Sequence, residues 1–251
     1  MTVAAPRTRM PRVRIGCAGW SIPAAHRTQF GPGDSVLARY ATVFDSVEIN
    51  SAFYRSHQRA TYARWAASVP SGFRFSVKLP RTITHDARLR GCGALLDTFL
   101  KQCGGLGRKL GALLVQLPPS LAYDGRHAAA FFAMLRRRHD GPVACEPRHA
   151  SWFAPAADAL LQRHGIHRVA ADPAPVPGAE APGGDTGSTY WRLHGSPRIY
   201  YSEYGRDALG VLADALRSAG RGTWCVFDNT AHGHAIGDAL KLRALLGAAT
   251  R

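Results

Sequence analysis

The chain has 251 residues, of which 46% are hydrophobic, and its 32 Lys and Arg against 17 Asp and Glu give a formal net charge of +15. No apolar run is long enough to cross a membrane, and the basic first residues lack the apolar stretch of a secretory signal. These features argue against a membrane protein and against export, so we expect a cytoplasmic location and no membrane partner.

The five cysteines form neither a CxxC pair nor a zinc-ligand spacing, which fits a reducing compartment. Cys17, Cys145 and Cys225 lie in apolar runs, where a free thiol usually behaves as a small buried side chain. We predict that none of the five is a nucleophile.

The positive charge has two interpretations. A basic protein attracts polyanions such as nucleic acid and gains affinity through counterion release. Only four lysines are present, however, so the surplus is arginine in a chain rich in Ala and Gly, as GC-biased coding also produces. The sequence leaves both interpretations open.

In chain order, residues 1–12 predict a disordered basic arm and residues 13–251 a single domain, since chains of this length commonly form one α/β barrel. Apolar runs predict eight strands, at 13–19, 46–51, 74–80, 110–118, 143–149, 167–173, 189–195 and 223–230. Helical patterns lie at 35–44, 61–68, 93–103, 126–138, 155–164, 206–219 and 235–246. The stretch 174–188 is rich in Pro, Gly and Ala and predicts a loop.

This alternation predicts an α/β fold, a single (β/α)8 TIM-like barrel with parallel strands. A doubly wound open sheet is the structural alternative. Residues 16–21 do not match the GxGxxG turn that a dinucleotide-binding sheet carries after its first strand, and no GxxxxGK[ST] phosphate loop is present.

Polar side chains occupy the carboxyl ends of seven of the eight predicted strands. Because strand residues alternate in direction, Glu48 shares a face with Asn50 and Glu146 with Arg148, and in a barrel that face points inward. Barrel enzymes assemble their active sites at this end, so we predict one polar pocket there. Its members are Glu48, Asn50, Lys78, Gln116, Glu146, Arg148, Asp172, Arg192, His194 and Asn229.

Carboxylates and imidazoles in this pocket are candidates for general acid or base catalysis. The basic side chains are candidates for holding an anion. The alternative is a set of internal salt bridges that only stabilise the mouth of the barrel. We predict catalytic roles for Glu48, Glu146, Asp172 and His194, and binding roles for Asn50, Lys78, Gln116, Arg148, His149, Arg192 and Asn229.

Aromatic residues follow several of the same strands. Trp20, Tyr54 and Trp152 are binding candidates, because aromatic rings beside Arg and Lys suit stacking on sugars or nucleobases. Ordinary packing beneath the loops is the alternative.

The sequence leaves the cofactor unknown. A divalent metal needs several converging ligands, which Glu146, Asp172 and His194 could supply, but no HExxH or paired-histidine motif supports such a site.

Seven ordered segments resemble the YecE-like proteins, the family of domain of unknown function 72. They are IGCAGWS at 15–21, VEINS at 47–51, FRFSVK at 73–78, QLPP at 116–119, EPRH at 146–149, RLHG at 192–195 and FDNT at 227–230. The resemblance covers nearly the whole chain after the basic arm. It implies a TIM-like barrel and places the predicted pocket residues in family motifs, but it implies no established activity.

Two residues depart from the family pattern. Ile22 stands where the family commonly has an aromatic residue, and Asp228 replaces an amide in the usual Phe-Asn-Asn-Thr ending, so stacking at the rim and local charge differ here. The fold of the family is similar to that of apurinic endonucleases and sugar isomerases, which suggests phosphodiester hydrolysis or nucleic-acid binding by fold analogy. The multiple-histidine metal set of those nucleases is absent from this chain.

These observations favour a hydrolase or lyase that acts on a phosphorylated or nucleic-acid-like substrate. The first alternative is a non-catalytic nucleic-acid-binding protein that uses surface arginines, and the second is a sugar-binding or sugar-transforming barrel. The expected partner is a small anionic ligand or nucleic acid, and the oligomeric state stays open.

Overall fold

The computed structural model describes residues 13–248. The predicted basic arm therefore lies outside the described residues. The described chain contains ten strands: β1 (Arg14–Cys17), β2 (Ser46–Ile49), β3 (Arg74–Lys78), β4 (Leu110–Gln116), β5 (Val143–Glu146), β6 (Ile166–Arg168), β7 (Ala170–Asp172), β8 (Gly183–Gly184), β9 (Tyr190–Leu193) and β10 (Trp224–Phe227).

Seven α-helices lie between or after these strands in the same part of the chain, at the seven predicted positions. They are α1 (Val36–Tyr40), α2 (Arg59–Ala67), α3 (Gly93–Cys103), α4 (Gly125–Arg136), α5 (Pro155–Arg163), α6 (Arg206–Arg217) and α7 (His234–Ala248). Local chemistry sets where they begin: Ser35 and Asp124 accept backbone N–H groups at the starts of α1 and α4, and Pro155 opens α5. No helix within 13–248 has both the length and the apolar character needed to cross a bilayer.

The strands form a mixed α/β fold with two sheets. One sheet has the order β1-β10-β9-β7 and is parallel throughout, and the other has the order β2-β3-β4-β5-β6-β8. In the second sheet the pairing is parallel except that β8 runs antiparallel to β6. Strand pairing therefore gives parallel sheets, but not one continuous ring of eight strands.

The structure corrects two details of the strand prediction. The predicted strand at 167–173 is divided at Val169, so that β6 pairs with β5 in one sheet and β7 with β9 in the other. The predicted loop at 174–188 contains the two-residue strand β8, because Gly183 and Gly184 bring the backbone close enough to pair with β6. A Cβ on Gly184 would overlap the carbonyl oxygen of Ile166, and the residue has a φ of 62°.

Two layers of core lie on either side of the strands. The larger layer packs the outer faces of the strands against the helices. The smaller one fills the space on the inner faces, where the rings of Tyr190 and Trp224 stack with centroids 5.9 Å apart. This inner apolar layer forms a floor, and the polar residues described below lie above it at the carboxyl ends of the strands.

Candidate functional site

Alternation along four strands brings charged side chains together at one end of the fold. Above the apolar floor, Glu48 is the last inward-facing residue of β2, and Glu146 is the last inward-facing residue of β5. Arg192 lies on β9, two residues after Tyr190. Asp228 directly follows β10, two residues after the inward-facing Val226. All four side chains are buried.

Arg192 is the centre of this cluster and is fully buried. Its Nη2 lies 2.7 Å from Oε1 of Glu48 and 2.9 Å from Oδ2 of Asp228, and its Nη1 lies 2.6 Å from Oε2 of Glu146. Its Nε donates a further hydrogen bond of 3.1 Å to Glu48. One guanidinium thus neutralises carboxylates from three different strands, which is the geometry that makes a buried charge tolerable.

His194 lies between two of the same carboxylates. Its Nε2 is 3.0 Å from Oε1 of Glu146 and its Nδ1 is 3.1 Å from Oδ2 of Asp228. Burial alone would lower the pKa of His194, but the attraction of Glu146 and the hydrogen bond to Asp228 raise it. The imidazole is therefore held as a cation that donates from both nitrogens.

Two carboxylates of the cluster, those of Glu146 and Asp228, are held in their charged form. Burial would raise the pKa of Glu146, but Arg192, His194 and Arg148 together hold it well below its ordinary value. The pKa of Asp228 is lowered in the same way, against the effect of burial, by Arg192 and His194. Neither group is suited to accept a proton near neutral pH.

Arg148 lies on the side of the cluster that faces solvent. Its Nη2 lies 3.0 Å from Oε1 of Glu146, and its side chain keeps 18% of its surface exposed. The same nitrogen lies 3.5 Å from the hydroxyl of Tyr200, which is partly exposed on the loop after β9. Arg148 is therefore the guanidinium of the cluster that a molecule in solvent can reach.

Lys78 is the last inward-facing residue of β3 and is only 5% exposed. Its Nζ lies 4.2 Å from the centre of the Phe53 ring, and within residues 13–248 no hydrogen-bond acceptor or carboxylate pairs with it. Burial, reinforced by repulsion from Arg192, lowers its pKa to about 8, although the three carboxylates oppose the shift. Lys78 is thus a buried amine that has no fixed partner.

Two amide side chains near Lys78 also have no side-chain hydrogen bond within the part of the chain that the structure describes. Asn50 follows β2 two residues after Glu48, and its Oδ1 is buried with no hydrogen bond among the described residues. Gln116 pairs in register with Glu146 and is 7% exposed. Buried polar groups are normally hydrogen-bonded. Amide groups that lack hydrogen bonds beside the charge cluster therefore indicate where the polar atoms of a ligand would lie.

The structure does not bring two of the predicted residues into this cluster. Asp172 pairs with Leu193 in register, on the outer face, where it is exposed and accepts a hydrogen bond of 2.8 Å from the Tyr204 hydroxyl. Asn229 is buried, but its Nδ2 donates to Ser202 and to Asp238 of α7. Their predicted placement in the pocket is wrong because β7 and β10 present Ala171 and Asp228 inward instead.

Four further predicted binding residues lie around the cluster without joining it. Trp152 is buried and donates from Nε1 to the carbonyl of Leu121, as a packing residue does. His149 accepts the Ser151 N–H at the start of a short helix. Trp20 packs edge-on against Trp65, and Tyr54 is 74% exposed.

Sequence reasoning missed three side chains that belong to the site. Asp228 is the most important, and its signal was its two-residue spacing from Val226. Tyr190 donates from its hydroxyl to Glu48 at 2.9 Å and to Ser76 at 2.8 Å, among the inward-facing residues of the two sheets. His85 lies in the short π-helix Thr82–Asp86 after β3, with its ring 4.9 Å from that of Phe53, and no strand periodicity points to it.

Within residues 13–248 no group of three or more His, Cys, Asp and Glu side chains has the arrangement needed to hold a metal ion. Of the three metal-ligand candidates, Glu146 contacts the guanidinium of Arg192, whereas Asp172 lies apart on the outer face and bonds to Tyr204. Glu146 and His194 bind each other, so the oxygen and nitrogen lone pairs that a metal would use are engaged.

Comparison with known proteins identifies the family of this chain. Residues 14–251 match the model of a family described as protein of unknown function DUF72. The chain belongs to the DUF72 family. Among curated members, UPF0759 protein YecE of Escherichia coli K12 is 31% identical over 170 residues, which are 65% of this chain and 60% of that protein. UPF0759 protein YunF of Bacillus subtilis is 26% identical over 152 residues, or 53% of its length.

Solved DUF72 structures share the fold over nearly the whole chain. A family member from Enterococcus faecalis V583 superposes with a TM-score of 0.78 at 21% identity, covering 94% of this chain and 96% of the other. One from Thermotoga maritima MSB8 gives a TM-score of 0.76 at 24% identity, covering 94% and 99%. The aligned segment spans about three fifths or less of the curated relatives, so their names carry no activity over to this chain.

Proposed function

We propose that this DUF72 protein is an enzyme, a lyase or hydrolase, that acts on a small phosphorylated or otherwise anionic molecule bound between Lys78 and Arg148. The observation that carries the proposal is the unpaired, nearly buried ammonium of Lys78 at the end of an otherwise compensated charge cluster.

Charge compensation in the cluster supports an anionic ligand. The three carboxylates of Glu48, Glu146 and Asp228 face three cations, namely Arg192, His194 and Arg148. Protonated Lys78 adds a positive charge for which the described residues offer no counter-ion. A buried charge without a partner is costly, and an anion entering the mouth would remove that cost.

The engaged carboxylates favour a lyase over a hydrolase. A hydrolase commonly uses a free carboxylate or imidazole to activate water, but Glu48, Glu146 and His194 are already hydrogen-bonded on both sides. Their role in the proposal is to fix Arg192 and to set the electric field at the mouth. Lys78 is left as the group with a lone pair to offer.

A thermal-shift screen tests the proposal directly. We expect inorganic phosphate and ribose 5-phosphate to raise the melting temperature of the wild type, because a ligand that binds only the folded state stabilises it. The shift should be lost in Lys78→Met and reduced in Arg148→Gln, and retained in Lys101→Met, whose lysine is exposed on α3. Absence of any shift with phosphates or with divalent cations would contradict the proposal, and a shift with neutral ribose instead would favour a sugar-binding barrel.

The net charge of +15 supports nucleic-acid binding as a second candidate. In that case the affinity for a short single-stranded oligonucleotide should fall steeply with salt. Lys78→Met should leave this affinity unchanged, because a nearly buried amine cannot contact a polymer lying on the surface. A binding loss in Lys78→Met would instead assign the oligonucleotide to the barrel mouth.

We also infer that the two sheets together form the eight-position ring of a TIM-like barrel. Val169 alone separates β6 from β7, and the amide of Gly19 donates to the carbonyl of Glu48 across the β1–β2 junction. Arg192 on one sheet contacts Glu48 and Glu146 on the other, as expected for a shared interior. A cytoplasmic location remains part of the proposal, because all five cysteines are free and buried thiols.

A further inference from the structure

We infer that Lys78 is a nucleophile that forms an imine with a carbonyl group of the substrate, which makes the substrate an aldehyde or ketone that also carries a phosphate or carboxylate. This inference rests on the proposed anion site and adds the class of reacting group. It is carried by the position of the Lys78 amine, which is nearly buried against the ring of Phe53 and has no hydrogen-bond acceptor among the described residues.

The four lysines of the chain differ sharply in their surroundings. Lys109 donates to the backbone carbonyls of Ala66 and Val69, and Lys241 is paired with two carboxylates. Lys101 lies exposed on α3. Lys78 is the one lysine that is both nearly buried and without a hydrogen-bond acceptor among the described residues.

The surroundings of Lys78 favour its neutral, nucleophilic form. The amine lies over the face of Phe53, which excludes water, and Arg192 below it opposes a second positive charge. With a pKa of about 8, roughly a tenth of the Lys78 side chains are neutral near pH 7, whereas an ordinary lysine is neutral in fewer than about one molecule in a thousand. Desolvation of this kind is how lysines are activated for imine formation.

The proposed step needs no oxidant or reductant. The lone pair of Lys78 Nζ attacks the carbonyl carbon while the carbonyl oxygen takes up a proton, and the carbinolamine then loses water to give a protonated imine. The sum is an ammonium plus a carbonyl compound giving an iminium plus water, so one positive charge enters and one remains. The charge that the anionic group of the substrate compensates is therefore the same before and after the step.

An iminium at this position would account for the rest of the site. It withdraws electrons from the neighbouring carbon of the substrate, which is the requirement for breaking a bond to that carbon in a lyase reaction. Arg148, the exposed guanidinium of the cluster, would hold the anionic end of the same molecule.

Borohydride trapping tests the inference on the full chain. The probe is glycolaldehyde phosphate, a small aldehyde with one phosphate, and unphosphorylated glycolaldehyde is its matched control. After reduction, peptide mapping by mass spectrometry should show the Lys78 peptide labelled at least tenfold more than the Lys101 peptide, and only with the phosphorylated probe. Added inorganic phosphate should suppress this labelling.

Lys78→Arg separates imine formation from anion binding, since arginine keeps the charge but cannot form the adduct. We expect this variant to retain a thermal shift with phosphate and to lose the selective label. Equal labelling of Lys78 and Lys101 in a wild type that still binds phosphate would overturn the imine while leaving the anion site intact. Absence of both the phosphate shift and the label would overturn the inference and the proposed function together.

Discussion

Arg192 and Glu146 form an ion pair from which solvent is excluded, with Nη1 of the guanidinium 2.6 Å from Oε2 of the carboxylate. The other oxygen of Glu146 accepts from His194 and Arg148, so this carboxylate compensates three cations. We expect Glu146→Gln to lower the free energy of unfolding by about 3 kcal/mol, because removing one partner leaves buried charge uncompensated. Urea unfolding measures the change. Asp97→Asn, which breaks an exposed pair with Arg138, should leave the midpoint nearly unchanged.

Asp228→Asn restores the amide that the family commonly has at this position, and it should be tolerated better than Glu146→Gln. Arg192 keeps Glu48 and Glu146 in this variant, and His194 keeps Glu146. We expect a loss of about 2 kcal/mol or less, since charged hydrogen bonds become neutral ones without leaving donors unsatisfied. A greater loss than that of Glu146→Gln in the same urea series would show that Asp228 is the principal counter-ion of Arg192.

His194 should make the stability of the fold depend on pH. Its pKa is raised in the folded protein, so the folded state holds the proton more firmly than the unfolded chain does. This contribution is complete below the ordinary histidine pKa of about 6.5 and is lost as the pH rises through the raised value. The difference in unfolding free energy between the wild type and His194→Gln should therefore shrink as the pH rises above about 6.5. A difference that grows with pH would contradict a charged imidazole.

Lys78 should have the opposite effect on stability. Its pKa falls from an ordinary 10.5 to about 8 on folding, so the folded state binds this proton more weakly than the unfolded chain. Since one pKa unit corresponds to about 1.4 kcal/mol, Lys78→Met should stabilise the fold by about 3 kcal/mol near neutral pH. The gain should decrease as the pH rises from about 8 towards 10, as measured by thermal or urea unfolding at each pH. Lys101→Met is the control and should show no such trend.

Gly16→Ala tests the junction between β1 and β2. A Cβ at Gly16 would overlap the carbonyl oxygen of Ser46, so the two strands would have to move apart. Overlap with backbone cannot be relieved by a rotamer change, and we expect a loss of about 2 kcal/mol, comparable to overpacking a core. Gly72→Ala is the matched control, because no atom lies within 4 Å of the added Cβ. Equal stability of the two variants would argue against the close approach of β1 to β2.

Periodicity in the sequence was sufficient to place the strands and much of the site. Every predicted strand contains an observed one, and the two-residue spacing correctly put Glu48, Glu146 and Arg192 on one face. It could do so because large apolar or charged residues alternate clearly along β2 and β9, whereas in β5 only the charge of Glu146 marks the inner face. The two-residue alternation depends only on neighbouring residues within one strand, so a regular strand can be recognised without knowing its partners.

The same reasoning was wrong where local pattern is ambiguous. Before Asp172 the chain reads Val169-Ala170-Ala171, and small apolar residues fit either face, so the break between β6 and β7 leaves no signal. In β10 the choice between Asp228 and Asn229 depended on which face Trp224 occupies. The partners of Arg192 could not be predicted at all, because they come from segments up to 144 residues apart in the chain.

The depth of Lys78 restricts what can react with it. Lys78 is 5% exposed, and its amine lies over the ring of Phe53, 4.2 Å from the ring centre. Such a site admits the end of a molecule but not the middle of a chain. A long polymer could present only a terminal group or an extruded one, so the selectivity of this protein should be for chain ends and for small free metabolites.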